Sequence, residues 1–572
     1  MSTPLIPEAF ETGLSTHPNR AYAEYVVAGL RHGFDTGVDC PEEAVHHDPL
    51  KSATDHPEVI DKWFAEEVGK GRMGVSNQPP HKYTRVAPVG TVPKRSYTGE
   101  LKFRVISHLS KESPPGAGDS INDMTDTENF RVEMASVWDA AEIVAAYGSA
   151  AHMTKTDCRN GYRVLPAHPE VYHTQVYFWK GKFYTDYAVC FGNTSSAAIY
   201  DSVSSAMHYI VQNKIDAALG LRADGARWAT VLHYLDDFLI VGANGAVTAA
   251  ASKILFDTMA TLGVPLASEK TETVVQAAEY LGLWIDCRAQ TISLPQGKRK
   301  ALLAELRQLR GHAPASVPRK RMEPLLGRVT HAHAVLPWSR PHVHALLVAV
   351  HHQPHQFGQC KINSAVWADL SHWISVLETA AGRPRPLATR PSRLSAAPGE
   401  PQFGGENRNW AIGGASGEWG FGYFAAATVT TVPWSPEERA SATLAVKDGD
   451  KNSSTLQELK VLAAATLEWV HTRNPDPGAL FTYGTGAANL THLTARLRSN
   501  TGAVNRVLAG LGRVLGPRGL HVRVVWRART HLSSRAADCL SRGDVRAFQA
   551  LLPGHPAKAS TIRASTLATI RA

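Results

Sequence analysis

Apolar residues recur along this chain with two different periods. Tyr22, Tyr25, Val26 and Leu30 fall at helical spacing and Gly33 follows as a stop, which predicts a helix near the N-terminus. Between 81 and 285, short apolar stretches alternate with turn signals, the pattern of a mixed α/β domain. Within it, Thr230–Gly242 reads T-V-L-H-Y-L-D-D-F-L-I-V-G. Both flanks are β-prone, so a hairpin is expected with Asp236 and Asp237 at or near its turn. Further on, Leu302, Leu303, Leu306 and Leu309 make one apolar helix face, with Lys298, Arg299, Lys300, Arg307 and Arg310 interspersed. Pro384, Pro386, Pro391, Pro398 and Pro401, with Gly399, Gly404 and Gly405, mark 382–408 as a linker. A second α/β pattern covers about 409–545, with a strand at Trp410–Ile412 and a main helix near Leu456–Val470. The last 27 residues show little pattern, and no repeat of fixed period is visible.

Composition narrows the class. The 572 residues are 44% hydrophobic and 19% charged, a globular balance with room for several domains. Six cysteines, with no two spaced as C-x-x-C, argue against a disulfide scaffold or a thiolate zinc site and for a reducing compartment. No run of about 18 apolar residues suggests a membrane span, and no secretory start is visible. An intracellular protein is expected, in cytoplasm or nucleus. The net charge of +9 suggests an anionic partner. That charge is uneven. Residues 1–80 hold 6 Lys/Arg against 13 Asp/Glu, residues 286–340 hold 11 against 3, and residues 501–572 hold 12 against 2. Eight histidines lie between His312 and His355. The i, i+4 pair His351 and His355 has zinc-binding spacing, but Pro354 interrupts it and no Cys or carboxylate completes the set.

Aspartate is an ordinary turn former, which is the bland account of Asp236 and Asp237. Two neighbouring carboxylates also repel each other, and a bound cation relieves that repulsion. Hard oxygen ligands select Mg²⁺ or Mn²⁺. A further acid, Asp157, ends a strand-like piece in M-T-K-T-D-C-R-N-G-Y-R, and Tyr162 follows five residues later. One strand-end Asp plus an Asp pair on a hairpin suits two-metal phosphoryl transfer.

Here the sequence resembles the reverse transcriptases. Tyr234–Asp237 is similar to their Y-x-D-D signature. Val92-Pro93-Lys94 and Lys102-Phe103-Arg104 resemble the basic fingers motif, and Pro115-Gly116 with Ser120-Ile121-Asn122-Asp123 follows in order. Asp157 with Tyr162 resembles the first palm motif. Phe191-Gly192 with Ser195-Ser196-Ala197 is similar to P-F-G-x-x-S-S, although Cys190 replaces the Pro and Asn193 the usual Leu. Leu262-Gly263 with Lys270 resembles the fourth palm motif, and Tyr280-Leu281-Gly282 the primer-grip turn. The collinearity covers roughly residues 1–350. G-x-S-I-N-D, Y-L-D-D-F-L and Leu326-Gly327-Arg328 leading to Pro337 and Arg340 resemble the DIRS-type retrotransposons, as do His17-Pro18, Gly33-Phe34 and Gly71-Arg72.

The resemblance implies an α+β, right-hand polymerase (fingers, palm, thumb) followed by an α/β ribonuclease H-like domain. The implied divisions are 1–80, an N-terminal extension packing on the fingers; 81–285, fingers and palm; 286–381, thumb and connection; 382–408, linker; 409–545, ribonuclease H-like domain; and 546–572, a basic tail. It implies that Asp157, Asp236 and Asp237 bind two Mg²⁺ or Mn²⁺ ions. Lys94, Lys102 and Arg104 would meet the incoming triphosphate, and Tyr162 would exclude a ribose 2′-hydroxyl. Phe191 and Gly192 would line the nascent pair, and Leu281 and Gly282 would place the primer end. Lys270 would act as a general acid toward pyrophosphate. The expected partners are an RNA template, a DNA primer, their hybrid and deoxynucleoside triphosphates, with other retroelement proteins possible and no membrane. The basic stretch 286–340, where the thumb should lie, is expected to track phosphates, and the basic C-terminal end to hold the hybrid.

The second domain departs from its family. A ribonuclease H needs about four carboxylates for two metals. Glu458 and Asp538 match two of them, but Gly414 and Gly486 stand where the other two aspartates belong. Glu418, Asp448 or Asp450 could substitute only if loops brought them in. The fold is therefore expected to be kept and the nuclease lost or severely weakened. Two rivals are a non-catalytic nucleic-acid-binding scaffold derived from such an element, and a polymerase with a telomerase-like template habit. Intact Asp157, Asp236 and Asp237 argue against the first, and the appended domain against the second.

Overall fold

In a computed structural model the chain divides into two compact units: residues 1–281 with 286–290, and residues 282–285 with 291–572. The structure describes residues 3–571 apart from 41, 96–100, 113–118, 129, 131, 133, 313, 354, 356, 380–384, 388–408, 427, 441–451, 500 and 556–557. Pro115-Gly116, Pro354, Asp448, Asp450 and nearly all of the expected linker thus lie outside the described residues, as does the side chain of Lys94.

In the first unit, helices α1 (Pro7–Gly13), α2 (Arg20–His32) and α3 (Pro57–Gly69) precede a hairpin of β1 (Val89–Arg95) and β2 (Leu101–Ser107). Asn19 caps α2 by accepting from Tyr22 N at 3.0 Å, and Gly33 ends it at φ +94°. Then come β3 (His152–Asp157), β4 (Val176–Trp179), β5 (Lys182–Asp186), α4 (Ser196–Leu219), β6 (Ala229–Tyr234), β7 (Asp237–Gly242), α5 (Gly245–Thr261) and β8 (Glu272–Val275). The antiparallel sheet β8-β3-β7-β6 packs on α4 and α5 through Val231, Phe238, Ile240, Ile199, Val203 and Leu255. A second sheet includes β4, β5 and Met73–Ser76.

The first 80 residues are divided between two buried cores. Phe10, Val26 and Leu30 of α1 and α2 are buried with α4. Ile60 and Phe64 of α3 are buried with Val89 and Tyr177. The apolar stripe of α2 needs a covered face, and the underside of α4 supplies it.

The second unit opens with α6 (Gln296–His312), α7 (Arg319–Ala332), α8 (His344–His351) and α9 (Ser364–Glu378). Leu302, Leu306 and Leu309 are buried there with Met322, Leu346 and Trp373, as the leucine spacing predicts. Beyond them lie β9 (Trp410–Ala415), β10 (Gly420–Ala425), β11 (Thr428–Pro433), α10 (Asn452–Arg473), β12 (Leu480–Thr485), α11 (Ala488–Arg496), α12 (Gly502–Leu515), β13 (His521–Trp526) and α13 (Leu532–Ser541). The sheet order is β13-β12-β9-β10-β11, with β9 to β11 antiparallel and β9, β12 and β13 parallel.

The last residues, expected as a basic tail, carry regular elements. After α14 (Val545–Leu551), β14 (Lys558–Ala559) pairs with β11 and α15 (Ala564–Arg571) packs down. Ile570 is buried with the helices that cover the sheet, and Thr566 donates to Glu468. Too few apolar residues carry this contact for a sequence period to show it.

Several histidines are structural. Burial lowers His333 to about 4, His372 to about 3 and His521 to about 4, with nearby cations or histidines adding to the effect. His372 stacks on His342 at 3.5 Å, and its Nε2 shares a hydrogen bond with Ser339 Oγ at 3.0 Å. Unfolding restores the ordinary value near 6.5, so below that pH the unfolded chain binds more protons. Stability should fall as pH drops from about 6.5 toward 4, by about 1–2 kcal/mol per histidine at pH 5. Thermal unfolding between pH 7.5 and 5 checks this, and a constant midpoint would contradict it.

Candidate active site

β3 ends at Asp157 and β7 begins at Asp237, and the antiparallel register puts these two residues opposite each other. Tyr234 pairs with Asp237, so Leu235 and Asp236 form a two-residue turn. Leu235 takes φ +52°. That left-handed backbone costs a non-glycine residue about 1–2 kcal/mol and closes the hairpin tightly. The Asp236 carbonyl accepts from Cys158 N at 2.8 Å, and the Asp157 carbonyl from Ala267 N at 2.8 Å. The strand ends that carry the three carboxylates are thereby tied together, as the hairpin pattern predicts.

Charge at this point is frustrated. Burial pushes the Asp237 carboxyl up to about 6, with Asp236 and Asp157 adding to the rise. Asp236 is also raised, chiefly by burial and then by Asp157, against the pull of Lys270 and Arg104. Lys270 reaches back from the turn after α5, and its Nζ donates to Asp157 Oδ2 at 2.9 Å. The loop position expected from the sequence is therefore brought to the aspartates.

A basic and aromatic face beside the aspartates is built from β2 and two loops. The Tyr162 and Phe191 rings lie 4.9 Å apart, and the Arg104 guanidinium sits 4.7 Å over the Phe191 ring. A Cβ on Gly161 would stand 3.9 Å from Phe191 Cζ and 4.0 Å from Asp236 Oδ2, so ring and carboxylate meet at bare backbone. Gly192 has φ +98°, and a Cβ there would strike the Ser107 carbonyl oxygen at 2.6 Å. Only glycine suits it. Lys102 is exposed one alternation along β2 from Arg104. Leu281 and Gly282 take φ +45° and +83°, the left-handed pair of a tight strand turn.

Sequence reasoning gave no role to Asn122 or to Arg163. Asn122 Nδ2 donates to the Gly192 carbonyl at 2.8 Å and its Oδ1 accepts from Thr194 N at 3.0 Å, which clamps the Phe191 loop. Arg163, next to Tyr162 in the chain, is buried. Its only sequence signal is its place in G-Y-R.

A second acidic point lies on the β9–β12 sheet. Glu458 accepts from Ala415 N at 3.3 Å and from Thr485 Oγ1 at 3.4 Å. Burial pushes it up to about 7, and Asp538 adds to the rise. Gly413 pairs with Thr485, which sets Gly414 and Gly486 at neighbouring strand ends, and Gly414 faces the Ala537 backbone beside Asp538. The four expected positions therefore converge. Asp538 is half exposed and pairs with Arg542 at 3.0 Å, and Glu418 is exposed.

Among the described residues, no group of three or more His, Cys, Asp or Glu side chains is closed up as a metal-holding set, the His351 region included. No helix of the described residues is long and apolar enough to cross a membrane.

Residues 102–285 match the family model described as reverse transcriptase (RNA-dependent DNA polymerase). This segment is a reverse transcriptase domain. It carries Asp157, Asp236, Asp237, Lys270, Arg104, Tyr162 and Phe191, and its enzyme class is RNA-directed DNA polymerase. No curated protein matches the chain. Among solved structures, the foamy viral protease-reverse transcriptase dRH in complex with double-stranded DNA is 13% identical at a TM-score of 0.44, with 90% of this chain and 81% of that one covered. The foamy viral protease-reverse transcriptase in complex with RNA/DNA hybrid is also 13% identical, at a TM-score of 0.42, with 90% and 62% covered. This chain thus spans less than two thirds of the second.

Proposed function

We propose that the chain extends a primer 3′-end along an RNA or DNA template with deoxynucleoside triphosphates, as the polymerase of a retrotransposon most like the DIRS type. The meeting of Asp157, Asp236 and Asp237 with Arg104, Phe191 and Tyr162 carries this reading. The all-carboxylate donor set and the raised Asp237 fit hard divalent cations, Mg²⁺ or Mn²⁺. Two such ions, when bound, supply the charge that activates a 3′-hydroxyl and stabilises a leaving pyrophosphate.

The chain's own residues do the rest. Arg104, with Lys94 and Lys102 on the same hairpin, meets the triphosphate. Lys270, held at Asp157, gives a proton to the leaving group. Phe191 and Gly192 line the nascent pair, and Leu281 and Gly282 place the primer end. Of the cations on α6, Lys298 donates to the Gly282 carbonyl, Arg299 to the Leu377 carbonyl and Arg307 to Glu378, so the outward phosphate contacts fall to the exposed Lys300 and Arg310. Binding to an RNA template, a DNA primer or their hybrid should weaken steeply with salt.

The sheet order of residues 409–545 supports a ribonuclease H-like domain, and Gly414 and Gly486 support loss of its nuclease. Primer extension on poly-rA with Mg²⁺ or Mn²⁺ tests the polymerase, and no product under either metal would overturn it. Tyr162→Val should admit ribonucleotides, lowering deoxy-over-ribo discrimination about a hundred-fold. Unchanged discrimination in single-nucleotide kinetics would remove the gate role.

A further inference from the structure

Directly behind the reacting groups lies a buried ionic cluster that joins three separate stretches of chain. Arg163, on the single turn 161–164 that follows the Asp157 strand, is its centre. Its Nε and Nη2 donate to Glu67 Oε2 at 3.1 and 2.6 Å, and its Nη1 donates to Asp186 Oδ2 at 2.5 Å. Arg72 lies 3.5 Å from Glu67 Oε1. All four residues are buried, and the half-exposed Lys70 also lies 3.5 Å from Glu67 Oε1. Glu67 and Arg72 belong to the N-terminal extension, outside the matched stretch 102–285.

Each arm of the cluster leads to a part of the nucleotide site. Arg163 is the neighbour of Tyr162. Asp186 Oδ1 accepts from Ala188 N at 3.1 Å, on the segment that runs into Phe191. Gln175 Nε2 donates to the carbonyls of Asp186 and Ala188, and its Oε1 accepts from Cys190 Sγ at 3.2 Å. A cavity of about 160 Å³ lined by Trp63, Arg104, Arg163, Asp186 and Phe191 joins the cluster to Arg104 and Phe191.

We propose that Arg163 is a positioning residue for the incoming nucleotide, and that Glu67 makes the N-terminal extension a working part of the polymerase site. A planar guanidinium held by two carboxylates fixes direction as well as distance. Here it fixes the Tyr162 turn against the Phe191 segment, the two rings that bound the sugar and base. This rests on the polymerase reading above. A segment outside the matched domain is then needed for nucleotide selection as well as for folding.

Steady-state primer extension with the full chain tests it. Glu67→Gln keeps shape and removes charge, while Arg163→Lys keeps charge and removes the fork. Each should raise KM for deoxynucleotides about ten-fold and relax sugar discrimination by a similar factor. Primer–template affinity should stay within about two-fold, because all four residues of the cluster are buried away from the surface that a duplex backbone would touch. The double variant should be no worse than the poorer single one, as expected of two residues acting through one contact. Should Glu67→Gln not accumulate folded, Glu67→Asp, which keeps the charge and shortens the reach, carries the same comparison. Loss of template affinity, turnover and thermal stability together, with discrimination intact, would show a purely structural cluster and overturn the proposal. So would variants with unchanged KM and discrimination. If wild-type chain extends no primer, the polymerase reading itself falls; if it does and the variants match it, only the positioning role falls.

Discussion

Asp236→Asn should cut primer extension on poly-rA at least about a thousand-fold, with the fold intact. Asp236 holds its place through its backbone, because the Cys158 N–H donates to its carbonyl. Asparagine keeps that bond and the volume and removes only the charge. The loss falls on a carboxylate beside Gly161 and the Phe191 ring, where reacting groups would meet. It also relieves Asp237, whose carboxyl is held up by burial and then by Asp236. Asp237 should therefore ionise more readily in the variant and still not restore activity, since one ligand position has gone. Near-wild-type extension by Asp236→Asn, with unfolding and duplex binding unchanged, would remove the hairpin from the chemistry.

The opposite change is expected in the second unit. Gly414→Asp combined with Gly486→Asp should raise Mg²⁺-dependent cutting of the RNA strand in a hybrid about a hundred-fold or more above the wild-type chain. The space exists. A Cβ at Gly414 would meet only the Ala537 backbone at 4.0 Å, and one at Gly486 only Arg529 Cγ at 3.5 Å. Neither position has the left-handed backbone that would strain a side chain. Glu458 is already aimed between them, bonded to Ala415 N and Thr485 Oγ1. Four clustered carboxylates repel, so each single variant should gain far less than the pair and the pair should require metal. Robust cutting by the wild-type chain that is lost in Glu458→Gln would sink the expectation of a silent nuclease. A pair variant that binds hybrid and cuts nothing would show that the four positions do not form one cage.

Much of the site was legible because its chemistry is local in sequence. The Y-L-D-D hairpin announces itself by β-prone flanks around two acids, and the register then carries Asp237 to Asp157. Lys270 was legible by order alone, and its contact with Asp157 depends on a turn after α5 that no periodicity reveals. Long-range burial was not legible. Arg163 reads as one more cation in a basic chain until Glu67, 96 positions earlier, closes on it. The extension showed an apolar stripe but not its partner, so its division between two cores could not be read. The C-terminal residues failed for another reason, since a two-residue strand and a handful of apolar contacts leave no period to detect.

The open space around Gly414 and Gly486 also bears on descent. Any aspartate codon becomes a glycine codon by one base change, and the return is as short. Where a lost site has been overgrown, neighbouring side chains fill the gap and reversion would clash with them. Here a Cβ would meet nothing closer than 3.5 Å at either glycine, so two substitutions separate this sequence from a full acidic set. Under the proposed function, related sequences that carry either aspartate would place the change late, and selection for strand removal could recover it without any compensating substitution.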